Sequence, residues 1–148
     1  TEESVRAWPA FDHLRLWTDG ARVVVGDDAR LERITPGWDK RRFPLDGGAF
    51  AGEPVPVRAI LVLQPRRDRG RALVRPLAPS RAVVTLTTLT YANYLLDGTM
   101  RAQELLQLGA LVRAVPVSAL TPPAGRANLG ALCDAIVRAA ESRAAAYA

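Results

Sequence analysis

Residues 7–17, AWPAFDHLRLW, carry Trp8, Phe11, Leu14, Leu16 and Trp17. Leu14 and Leu16 alternate with His13 and Arg15, a period that predicts an extended segment. The polar residues 1–6 before it read as a helical turn or a frayed start. Thr18-Asp19-Gly20 is a turn or a helix start, and ARVVVG at 21–26 stays open between two readings. Its three consecutive valines favour a strand, whereas Asp19 would cap a short helix. Asp27 and Asp28 end that element and cap the next, DARLERI, a reading preferred over a magnesium-holding pair. Residues 34–45, ITPGWDKRRFPL, form a basic loop framed by Pro36, Gly37 and Pro44. Gly47, Gly48 and Gly52 make 46–54 a flexible connection.

The second half is more strongly patterned. Within 55–67, VPVRAILVLQPR, the run Ile60, Leu61, Val62 and Leu63 predicts a strand buried on both faces. The arginine-rich 65–71 is an exposed hairpin-like loop, and ALVRPL at 72–77 is a second strand that Pro76 places at a strand end or a sheet edge. A long helix is expected over 79–96 with Ser80 as its cap, although Thr85, Thr87, Thr88 and Thr90 lower its propensity. Asp97-Gly98 breaks it, and Thr99 caps a second helix to about Arg113 with Leu105, Leu106, Leu108, Leu111 and Val112 as its apolar stripe. VPVSAL at 115–120 is a short strand and TPPAGR a loop. The last helix spans about 127–146, where Leu129, Leu132, Ile136 and Val137 fall on one face. The predicted class is α/β or α+β, a mixed sheet with three helices in the second half, in one domain of 148 residues.

Composition narrows the function classes. Hydrophobic residues make up 49% and charged residues 24%, values of a globular chain. The net charge of +5 rests on nineteen arginines and one lysine. No stacking aromatics interleave with the arginines along the sequence, as a single-strand platform requires, so nucleic acid is not an expected partner. One cysteine and one histidine exclude an internal disulfide and a His/Cys zinc site. Cys133 in ALCDAIV reads as a buried small hydrophobe and His13 as a polar group on a wet face. No apolar run approaches a membrane span and no signal peptide is visible, so a cytoplasmic location is expected. The chain opens at Thr1 without a methionine and runs straight into an apolar-aromatic stretch, which is expected of a piece of something longer.

Lys40, the sole lysine, is flanked by Arg41 and Arg42. Lysine is a compact point charge with three donors, suited to phosphate. The three residues either present charge to an anionic ligand or form a solvated basic loop. No phosphate-cradling glycine loop ending in Lys-Ser or Lys-Thr occurs anywhere in the chain.

Several stretches form an ordered series: LRLW at 14–17 after Pro9, PGWDKRRFPL at 36–45, VPVRAILVL at 55–63, TYANYLLD at 90–97 and VPVSAL at 115–120. The series resembles the C-terminal half of bacterial HPr-serine-kinase-related proteins, which belong to the phosphoenolpyruvate-carboxykinase-like kinases. Some relatives phosphorylate lasso-peptide precursors. The resemblance spans nearly the whole chain, and the order of the motifs carries it. It implies the C-terminal part of that kinase fold, with ATP and magnesium as cofactors. The implied acceptor is a serine or similar hydroxyl on a peptide, protein or small molecule. In the family a P-loop and a carboxylate-bearing segment precede the LRLW region, and neither occurs in this chain. No catalytic residue and no metal ligand therefore carries over, and the upstream P-loop half becomes the expected partner. Phe11-Asp12 also departs from the aromatic-proline pair of many relatives. Lys40, Arg41 and Arg42 match the family's DKR-type segment, which implies that they face the nucleotide or acceptor phosphate, or else form salt bridges to the upstream half. Residues 8–17 are expected to pack on that half, and left uncovered they would suit a homo-oligomer. A noncatalytic protein- or peptide-binding module is the competing class.

Overall fold

Val117 and Leu120 are among the buried apolar side chains, and they mark the strand about which the larger part of the protein is built. The computed structural model describes residues 4–26, 30–67, 70–125 and 128–144, with residues 142–144 described for the backbone only. The chain divides into two compact units, Arg6–Val55 and Thr1–Val5 with Pro56–Ala148. Asp27, Asp28, Asp68 and Arg69 lie outside the described residues, so the Asp pair and the tip of the arginine-rich loop are not placed.

β1 (Arg6–Ala7) pairs with β4 (Val55–Pro56), which spans the end of the smaller unit. β2 (His13–Trp17) pairs antiparallel with β3 (Lys40–Pro44). α1 (Thr18–Val25) follows β2 without a break, so ARVVVG is helical. Gly26 decides this locally: at φ 82 it closes the helix, its N–H donating to the Arg22 carbonyl at 3.0 Å. Asp19 lies in the first turn, where its charge suits the helix dipole, and Trp17 occupies the cap position. The expected basic loop at 34–45 is corrected, because Lys40 to Pro44 form a strand. Its second edge is also paired. Arg42 N–H donates to the Glu32 carbonyl at 2.8 Å, and Ile34 N–H donates to the Lys40 carbonyl at 3.1 Å. Charged residues are accepted there because one face of the ribbon meets water.

In the larger unit, β5 (Ile60–Leu63), β6 (Leu73–Pro76) and β7 (Val117–Thr121) form a sheet of order β5-β7-β6. β5 runs parallel to β7, with Ile60 opposite Val117, and β6 runs antiparallel, with Pro76 opposite Ser118. Pro76 thus ends an edge strand, as a residue without an N–H must. The apolar run of β5 is not covered on both faces: Val62 is buried, yet Leu63 is 70% exposed. β7 takes the central place, and β5 is an edge. Arg67 is tied to the 122–124 segment, donating to the Pro122 carbonyl at 3.0 Å and accepting from Ala124 N–H at 2.7 Å, so the arginine-rich stretch begins in a bridge rather than a free hairpin.

Three helices follow. α2 (Pro79–Leu89) starts on Pro79, whose fixed φ suits the first helical position; Ala78 precedes it and Ser80 is not the cap. Thr85, Thr87 and Thr90 donate to carbonyls four residues back, at 2.8, 2.9 and 3.3 Å. The helix stops at Leu89, short of the expected Leu96. Ala92 then takes a left-handed φ of 54 and a 3-10 turn covers Asn93–Leu95. α3 (Gly98–Ala114) is capped by Asp97, whose carboxylate accepts from Met100 N–H at 2.8 Å; Thr99 lies inside the helix. α4 (Leu129–Ala144) packs near β6. Cys133 is exposed, contrary to expectation, because it lies about 100° around the helix from the half-buried Leu132. Val62, Ala82 and Val117 form the core, with Ile60, Leu77, Leu86 and Val112 packed on it. Among the described residues the fold is mixed α/β, with small sheets and four α-helices. Among the described residues no helix is long and apolar enough to cross a membrane.

Candidate functional site

The β2–β3 register sorts the basic segment onto two faces. Trp17 stands opposite Lys40, Arg15 opposite Arg42 and His13 opposite Pro44. Directly opposed residues project to the same side, so these six share one face, and Leu16, Arg41, Leu14 and Phe43 share the other. Lys40 and Arg42 are therefore displayed together. Arg41, half-buried, belongs to the face of Leu16.

Lys40 is held by two rings. Its Nζ lies 4.6 Å from the Trp17 ring centroid and 5.4 Å from that of Trp38, both within reach of a cation–π contact. Trp17 comes from the end of β2. Trp38 comes from the turn before β3, where its N–H donates to the Thr35 carbonyl at 3.2 Å and Pro36 sets the turn's φ. The rings remain 59% and 58% exposed. Thr18 secures the neighbouring backbone, its N–H and its hydroxyl both donating to the Asp39 carbonyl at 3.3 Å.

A second cluster lies further along the same ribbon. Arg42 Nη2 donates to Asp12 Oδ1 at 3.3 Å. His13 Nδ1 lies 2.8 Å from the same oxygen, and because a carboxylate only accepts, Nδ1 carries the hydrogen. The His13 hydrogen bond, and after it the Arg42 guanidinium, hold the Asp12 carboxyl below its ordinary value against an opposing desolvation. His13 is not on a wet face; its side chain is largely covered, with Phe11 edge-on at 5.8 Å. Arg15 lies 4.8 Å over the Phe11 ring.

Beside Trp17 is a cavity of about 500 Å³ lined by Trp17, Thr18, Asp19, Arg22 and Asp39. Lys40 is not in its wall; the two share only the Trp17 ring. Among the described residues no group of three or more His, Cys, Asp or Glu side chains is placed to hold a metal.

No protein-family model, curated protein or solved structure matches this chain.

The arrangement is suited to holding an anion. Among the described residues Lys40 has no carboxylate partner, and aromatic rings fix an ammonium without neutralising it. Arg42 shares its charge with Asp12. Trp17, Trp38, Phe11, Asp12 and Arg15 were not singled out as site residues in the sequence. The signal is that Trp38 precedes the sole lysine by two positions. Trp17 reaches it only across the strand pair, so linear spacing does not reveal it. The expected lack of aromatics among the cations is corrected for this face, although each contact already has a cation of the chain itself against a ring.

Proposed function

We propose that the chain is the C-terminal part of an ATP-dependent kinase of the phosphoenolpyruvate-carboxykinase-like type, transferring phosphate to a serine or similar hydroxyl. The upstream half supplies the glycine-rich loop, ATP with its magnesium, and the acid that activates the acceptor. The present residues supply scaffold and positive charge. Phosphoryl transfer depends chiefly on positioning and on neutralising charge over the phosphate oxygens, so a cation from a second half contributes without any covalent role. The observation that carries this reading is Lys40 itself: an ammonium fixed between two rings and left with its full charge. The ordered motifs described above supply the family. Trp8, 80% exposed, and Phe11 give the upstream half an apolar surface to cover.

The test is transfer of labelled phosphate from ATP. The isolated 148-residue chain is expected to be inactive. Joined to the reading frame upstream of Thr1, it is expected to phosphorylate its acceptor, and that frame is expected to encode a loop ending in Lys-Ser or Lys-Thr. Normal transfer by the isolated chain overturns the reading. Exposed Tyr91, Tyr94 and Leu95 favour a second reading, a noncatalytic peptide-binding module. A module of that kind holds its peptide without nucleotide and without the upstream half.

A further inference from the structure

We infer that Trp17 and Trp38 are positioning residues, which hold the Lys40 ammonium ready for a phosphate group and set how tightly that phosphate is bound. The inference rests on the phosphate-facing reading of Lys40 and adds to it the part played by the two rings. Free lysine carries a long flexible stem, and ordering it on a ligand costs rotamer entropy. A carboxylate partner would order it, but would also cancel its charge. Two rings at 4.6 and 5.4 Å order it and cancel nothing. The hold is built into the backbone on both sides. Trp17 is fixed by its register opposite Lys40. Trp38 is fixed by the Thr35–Trp38 turn, and the Lys40 carbonyl is itself bonded to Ile34 N–H. The rings are more than half exposed and Lys40 is half-buried against them, so an anion arriving from solvent meets the rings and the ammonium together. By contrast, Arg42 on the same face is held by a carboxylate and brings less net charge to a ligand.

Because Lys40 is the sole lysine, side-chain labelling with ¹³C and ¹⁵N lysine gives one signal from the whole chain. Its ε-methylene is expected upfield of free lysine through the ring currents, and to move on titration with inorganic tripolyphosphate. Trp17→Leu and Trp38→Leu are each expected to return the signal toward free lysine and to weaken tripolyphosphate binding about two- to fivefold, the range of an exposed cation–π contact. Trp17→Phe and Trp38→Phe, which keep a ring, are expected to retain most of both. Trp38 lies outside the strands, so its variants keep the test alive where a Trp17 variant fails to fold. An unshifted signal, or tripolyphosphate binding indifferent to the Leu variants, overturns the positioning role; a phosphate response that persists then leaves the kinase reading standing. A shifted signal that ignores tripolyphosphate overturns the phosphate-facing reading, and the inference with it.

Discussion

Trp17 and Lys40 face each other across the β2–β3 ribbon, with the ammonium 4.6 Å from the ring centroid. This pairing separates the three basic residues of the segment into different roles. Lys40 keeps its charge, Arg42 shares its charge with Asp12, and Arg41 turns to the opposite face. A substitution at each position should therefore have a different effect, although all three change the same formal charge.

The Asp12 carboxyl is expected to titrate below its ordinary value of 3.8. A carboxylate whose folded value is lowered adds stability that is fully present above the ordinary value and is lost as pH falls through the lowered one. Carboxyl NMR titration checks this. His13→Ala and Arg42→Ala should each raise the midpoint, since each removes an interaction that lowers it. A wild-type midpoint at or above the ordinary value contradicts the cluster.

The start of α3 depends on Asp97. Asp97→Ala should cost about 1 kcal/mol in urea denaturation, since it removes the acceptor for Met100 N–H. Ser80→Ala and Thr99→Ala, which remove no capping bond, should each change stability by less than about 0.5 kcal/mol.

Arg101 and Glu104 should respond unequally. Arg101 Nη2 donates to the Asn93 carbonyl at 2.7 Å, and its Nη1 lies 3.7 Å from Glu104, whose side chain is only 10% exposed. Arg101→Ala leaves a covered carboxylate without its cation and removes the shorter of the two bonds to the Asn93 carbonyl, which keeps only that from Leu96 N–H at 3.3 Å. It should cost about 1–3 kcal/mol, whereas Glu104→Gln should cost less because a neutral amide is easier to bury. Equal losses in denaturation curves would contradict this account of the turn.

Much of the larger unit could be read from residue order. The runs at 60–63 and 115–120 announce strands and the 3.6-residue stripes announce α3 and α4, although Leu105, Leu106, Leu129 and Val137 of those stripes are exposed. The failures have local causes. ARVVVG has strand-favouring valines, but Gly26 supplies a helix-closing conformation that valine content does not report. KRRFP looked like a loop because charge suggests solvent, and a solvent-facing ribbon has the same composition. Serine is a common cap, which points to Ser80, yet Pro79 starts α2 without a side-chain cap. The role of Leu63 could not be inferred from its neighbours, since an edge strand and a central strand share one apolar pattern. At the candidate site, Lys40 stood out by its rarity, but its ring partners are brought in by strand pairing and a turn, which no linear spacing encodes.

The most direct measurement compares turnover and unfolding for Lys40→Ala in the chain joined to the upstream half proposed for it. Loss of a fixed charge that acts on the transferring phosphate should lower phosphate transfer by about 10²–10³-fold. Loss of one exposed cation–π contact should change the unfolding free energy by only about 1 kcal/mol. Transfer that is undiminished, or that falls only in step with the unfolded fraction, would contradict the account and make Lys40 a structural residue.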